Sequence, residues 1–161
     1  MNEIISKISS YNIFNYLLPG IIFSFLAQEY LGYSLIQSDT IIGLFLYYFI
    51  GLVISRIGSL VIDPALKGCK IICFAEYKDF VEASKKDEKI DLLSEVNNTY
   101  RTLCSTFFLL IALKGYQFIE SKSCFLQEWS PAMLVFALLL LFALSYKKQT
   151  AYITRRVEAN K

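Results

Sequence analysis

Apolar residues fall in four long stretches along the chain, each closed by charge or by turn residues. The first runs from about Ile13 to Leu31, extendable to Ile36, through NYLLPGIIFSFLAQEYLGYSLI. The second covers about Thr40 to Ile62, the third about Thr102 to Ile119, and the fourth about Pro131 to Tyr146, with Phe125 and Leu126 available to lengthen it. A hydrocarbon core of about 30 Å takes roughly 20 mostly apolar helical residues. The pattern therefore predicts an all-α polytopic membrane protein with four transmembrane helices, over about 13–36, 40–62, 102–119 and 131–146. Pro19 and Gly20 predict a kink, which a membrane helix tolerates.

Between the second and third stretches the pattern changes. Residues 67–101 hold seven basic and seven acidic side chains, with Ile72, Phe74, Tyr77, Phe80, Val81, Ile90, Leu93 and Val96 among them. Tyr77, Phe80, Val81 and Ser84 form one helical stripe, and Lys78 and Glu82 make an i,i+4 pair of opposite charge. The run SKKDEK, Ser84 to Lys89, breaks the rhythm and predicts a turn. Residues 63–101 are thus expected to form a helical hairpin of about fifteen residues per arm, nearly continuous with the flanking spans.

Composition agrees with lipid as the solvent. Of 161 residues, 55% are hydrophobic, 16% aromatic and 19% charged, with a mean hydropathy of +0.47. A soluble domain carries about 25% charged residues, and a chain this short has too little interior to hide the excess apolar surface. The net charge is +2, which gives no global cationic field for nucleic acid; no direct nucleic-acid partner is expected.

The distribution of charge orients the chain. With a cytoplasmic N terminus, the inner segments hold thirteen of the sixteen basic residues: Lys7, Lys67, Lys70, Lys78, Lys85, Lys86, Lys89, Arg101, Lys147, Lys148, Arg155, Arg156 and Lys161. The outer loops, near Gln28 to Asp39 and Glu120 to Ser130, hold only Lys122. The positive-inside rule then places both termini, residues 63–101 and the basic tail 147–161 in the cytoplasm. Trp129 and Tyr146 bracket the fourth span as interfacial aromatics, and the outer loops are too short for a ligand-capturing domain. No cleavable signal pattern precedes the first span, which is expected to act as its own targeting signal. Ile4, Ile5, Ile8 and Tyr11, spaced helically beside Lys7, fit either a short surface helix or the first turns of that span. The sequon Asn97, Asn98, Thr99 has no use in a cytoplasmic segment.

Candidate chemistry is sparse. The chain has no histidine, the commonest general base and metal ligand, and it lacks nucleophile-elbow, P-loop, zincin and dinucleotide-binding motifs. Cys69 and Cys73 at i,i+4 share a helical face but lack the second pair of ligands a structural zinc needs, and with Cys104 and Cys124 at other depths no disulfide framework is indicated. No catalytic, cofactor or metal site is expected, and the chain is expected not to be an enzyme.

Ionisable residues in a membrane are costly and so are functional candidates. Arg56 and Asp63 lie seven apart on one face of the second span; Arg56 either snorkels to inner headgroups or pairs with Asp63 or with an acidic residue of a neighbouring helix, fixing subunit or helix register. Lys114, near the outer end of the third span, snorkels or lines a wet cavity, with Glu29 within reach. Gly51, Ser55 and Ser59 form a small-x-x-x-small ladder that allows close helix approach, within the chain or in a homo-oligomer. Tyr77, Phe80, Lys85, Lys86 and Lys89 are candidates for docking a cytosolic protein. Lys147, Lys148, Arg155 and Arg156 are candidates for contact with anionic membrane lipid, each contributing about 1 kcal/mol near such a surface.

The segments SYNIFNYLLPG (Ser10 to Gly20), YYFIGLVISRIGSLVIDP (Tyr47 to Pro64) and EYKDFVEASKKDEKIDLLSEVNNTYR (Glu76 to Arg101) resemble small bacterial four-helix membrane proteins met beside anti-phage genes, above all the membrane subunits of two-gene Kiwa defence systems. The resemblance covers most of the chain and involves no catalytic motif. It implies a homo-oligomeric inner-membrane sensor of phage attachment or injection that works with a cytosolic, DNA-binding effector. Residue patterns alone leave two readings in front: a non-enzymatic sensor or scaffold that docks a cytosolic effector, and an oligomeric pore that depolarises the membrane when triggered; a third, an intramembrane enzyme or transporter, lacks paired carboxylates, histidine and an internal repeat.

Overall fold

A computed structural model describes residues 13–160, and these contain helices and connecting loops with no strand. The proposed surface helix around Lys7 lies outside the described residues. A π-helical lead-in, Ile13–Leu17, runs into α1, Leu18–Leu31. Then come α2 (Thr40–Ile57), a second π-helical segment (Gly58–Ile62) and α3 (Asp63–Gly68), which form one continuous rod of 29 residues. Helix α4 covers Tyr77–Lys86, α5 Lys89–Glu120 and α6 Cys124–Glu158.

Three rods are long and apolar enough to cross a membrane: Thr40–Gly68, Lys89–Glu120 and Cys124–Glu158. The expected first span is not among them. It stops at Leu31, where Gly32 takes a left-handed φ of +75° and its N–H and that of Tyr33 close on the carbonyls of Gln28 and Ala27. Asn15, Gln28 and Glu29 also dilute its apolar character.

Local chemistry sets the other boundaries. Asp39 caps α2, its carboxylate accepting from the N–H groups of Ile41 (2.8 Å) and Ile42 (3.0 Å). Ser123 caps α6 through the N–H of Leu126. Both π segments end two residues before a proline, Pro19 and Pro64. A proline ring collides with the carbonyl one α turn earlier, and a wider π turn moves that carbonyl away.

The charged middle segment departs from the expected hairpin in its first arm. After Gly68 and a left-handed Lys70 (φ 58°), residues 71–76 are not helical, so α4 has only ten residues and is separated from the second rod. The break at Asp87 and Glu88 falls inside SKKDEK, and α5 continues from Lys89 through the third apolar stretch without interruption. Cys69 and Cys73 consequently share no helical face, because Cys69 ends α3 and Cys73 lies in the irregular stretch.

The lead-in, α1, α2 and α5 pack together, with α6 laid against α2 and touching α5. Phe23, Ala27, Leu31, Ile54 and Leu110 form the buried apolar cluster. Helix α6 has no fully buried residue; only Leu138, Leu141, Phe142 and Ser145 of its apolar stretch are half-buried, and the rest is exposed.

Candidate functional site: a polar seam and a cationic junction

The first two helices approach each other closely enough for backbone to meet glycine. A Cβ on Gly20 would collide with the carbonyl oxygen of Tyr47, and a Cβ on Gly51 would collide with that of Tyr16. Each glycine thus receives the backbone of the opposite helix, the arrangement small residues permit where apolar burial alone gives helices no reason to associate. The edge of the Tyr16 ring meets Tyr48, centroids 5.5 Å apart, beside this crossing.

Toward the charged end of the bundle the interface becomes polar. Asn15, Ser55 and Thr102, from three helices, are each fully buried. Thr102 Oγ1 donates to Asn15 Oδ1 at 3.0 Å, and Asn15 Nδ2 reaches Ser55 Oγ at 3.5 Å. Thr102 is also within 2.8 Å of the Asn98 carbonyl, while Ser105 and Thr106, also fully buried, donate back to the carbonyls of Arg101 and Thr102. Every hydroxyl on this seam of α5 has a partner, as an apolar surrounding demands.

One turn further, charge accumulates at the junction of α2, α5 and α6. Arg56 donates to the Tyr16 hydroxyl (3.3 Å), and Arg101 Nη1 pairs with Asp63 Oδ2 (3.2 Å), both side chains being mostly buried at 16% and 13% exposure. Arg56 does not pair with Asp63, one of the alternatives the spacing allows. Seven residues apart on an unbroken α-helix, they would lie nearly in line; the π segment between them adds one residue to a turn and rotates Asp63 by about 100° relative to Arg56. Asp63 is thereby aimed at α5. Gly58 makes room for Arg101, since a Cβ there would come within 3.3 Å of Arg101 Cγ and 2.6 Å of Ser105 Oγ.

Lys148 closes the junction from α6. Its ammonium donates to the carbonyl of Ser59 and to Ser59 Oγ (2.8 Å). In the π segment the N–H of Asp63 bonds to the carbonyl of Gly58, five residues back. The next donor in that register belongs to residue 64, a proline without an N–H, so the Ser59 carbonyl is left for Lys148. Burial pushes the pKa of Lys148 down, Asp63 draws it up, and Arg101, Lys67 and Arg56 push it down further.

The small-residue ladder is therefore occupied within the chain. Gly51 and Ser55 face the first helix and Ser59 faces α6, which leaves none of the three free for an oligomer contact. Lys114 donates to the Tyr30 carbonyl at 3.1 Å and sits over the Tyr30 ring, in place of an ion pair with Glu29. On α4, Val81 is buried and Tyr77, Phe80 and Ser84 half-buried, so the stripe turns into the chain. Tyr77 lies 6.2 Å from the Tyr152 ring. Lys85, Lys86, Lys89, Lys147, Arg155 and Arg156 are exposed. Among the described residues the four cysteines are free and exposed, and no group of three acidic or cysteine side chains could hold a metal ion.

Sequence reasoning passed over Asn15, Thr102 and the Arg101 partner of Asp63, and read Gly20 as part of a kink where it is a helix contact. The available signals were a lone Asn in an apolar run and the spacing of Thr102, Ser105 and Thr106 at i, i+3 and i+4. Comparison with protein families, with curated proteins and with solved structures finds no match to this chain.

Proposed function

We propose that the chain is a non-enzymatic, oligomeric sensor or scaffold of the bacterial inner membrane, which docks a cytosolic effector and serves anti-phage defence. In this reading four helices cross the bilayer, both termini are cytoplasmic, and α4 with the start of α5 forms a cytoplasmic hairpin. The supporting observation is that α5 is a single rod of 32 residues, Lys89 to Glu120, joining the exposed charged segment to the buried seam at Thr102. At 1.5 Å per residue it is about 48 Å long, well beyond a hydrocarbon core of about 30 Å. A shift in packing at the seam is carried along α5 to Lys89 without a break, and across the turn at Asp87 and Glu88 to Lys85 and Lys86 on α4. The concentration of Lys and Arg at one end of the rods supports the orientation, and the resemblance to defence-associated membrane subunits supports the pathway.

Tagged protein is to be purified in mild detergent, with the soluble proteins it retains identified by mass spectrometry. A stoichiometric cytosolic partner, lost when residues 76–95 are deleted, is the expected result. Retention of that partner by the deletion variant overturns the docking role of the segment. Expression of the chain alone is expected to leave the signal of a potential-sensitive dye unchanged; dissipation without a partner would establish a pore instead.

A further inference from the structure

The junction of α2, α5 and α6 holds more positive charge than the chain neutralises. Lys148 interacts electrostatically with Arg56, Lys67, Arg101 and Asp63. Lys67 is exposed, which leaves the three partly buried cations Arg56, Arg101 and Lys148 against one carboxylate, and Asp63 is already paired with Arg101. Two donors remain unmet there: the Nε atoms of Arg56 and of Arg101 are buried and have no hydrogen-bond partner. A buried guanidinium N–H without an acceptor is costly, and two such groups beside excess positive charge call for an oxyanion.

Position selects the source of that oxyanion. Arg56 and Asp63 lie in the last turns of the Thr40–Gly68 rod, Arg101 immediately before the apolar stretch of α5, and Lys148 two residues after that of α6. All four therefore meet at the level where the apolar surfaces end, which is the depth of lipid headgroups.

We propose that Arg56, Arg101 and Lys148, contributed by three different helices, form a binding site for the phosphate of an anionic lipid headgroup. The site is distinct from general attraction of the exposed tail to a charged surface, because its cations are partly buried between helices. It rests on the rods crossing a membrane and stands whether or not the chain is a sensor.

The test uses the full chain, freed of lipid in a non-ionic detergent and studied by native mass spectrometry. Three probes are added separately: dioctanoyl-phosphatidylglycerol, dioctanoyl-phosphatidylcholine, whose phosphate carries its own counter-charge, and inorganic phosphate. The expected result is a discrete adduct with phosphatidylglycerol, absent with phosphatidylcholine, whose affinity falls roughly fivefold or more in Arg56→Gln and in Lys148→Gln. Lys78→Gln and Lys122→Gln, which remove positive charge away from the junction, retain it. Equal adducts with both lipids, or an equal loss in Lys78→Gln, overturn the site. An adduct with inorganic phosphate alone, with the same dependence on Arg56, keeps the oxyanion site and overturns its assignment to a lipid.

Discussion

Lys148 donates to the carbonyl of Ser59, the group that Pro64 leaves without a backbone donor. The proline and the lysine are 84 residues apart in sequence, yet one creates the acceptor and the other satisfies it. Lys148→Met removes both bonds to Ser59, and the loss for a charge-assisted bond at a half-exposed site is about 1 kcal/mol. Pro64→Ala returns an N–H to the helix and should make the chain less dependent on Lys148. A double-mutant cycle of thermal unfolding in detergent measures this, and strictly additive effects would exclude the relationship.

The reciprocal glycines predict a large contrast. Gly20→Ala and Gly51→Ala each place a methyl against backbone that cannot yield, so the two helices must separate and destabilisation of about 2 kcal/mol or more is expected. Gly115→Ala meets nothing within 4 Å and should be neutral or slightly stabilising through helix propensity, by up to about 1 kcal/mol. Unfolding midpoints of the three variants, measured in one detergent, check the order.

Breaking the Asp63 and Arg101 pair from one side should do more harm than removing both partners. Asp63→Asn leaves the guanidinium mostly buried without a counter-charge, at a cost of about 2 kcal/mol after allowance for partial exposure. The double variant Asp63→Asn with Arg101→Gln should recover part of that loss. Equal stability of the single and double variants would show that the pair is not coupled.

The proposed topology can be read from the cysteines, which are exposed in the structure. In intact cells an impermeant maleimide should label a variant retaining only Cys124 and leave variants retaining only Cys69 or Cys73 unlabelled until the cells are opened. The reverse pattern would invert the orientation.

Length and apolarity made the three rods legible in the sequence, because a run of sixteen or more residues dominated by Leu, Ile, Phe and other apolar side chains has few other outcomes. Their extensions were less visible. The polar starts of α5 and ends of α6 are rich in good helix formers, but their continuity with the spans depends on the absence of a breaker between Lys89 and Glu120. The irregular stretch after Gly68 was masked by Ile71, Ile72 and Phe74, which mimic a helical face. The partner of Asp63 was hidden most deeply. A seven-residue spacing points to Arg56 on an ideal helix, and only the π turn between them, a response to Pro64, redirects the carboxylate to Arg101. Such a register change leaves no periodic trace in composition.

The crossing of the first two helices also has a mechanical meaning. Backbone meets glycine on both sides, so sliding either helix along the other by one residue would bring a side chain into the contact, whereas rocking about it disturbs little. The crossing is a fulcrum. A push on the Leu31 end of the first helix therefore reaches the residues on the other side of Gly20 reversed in direction.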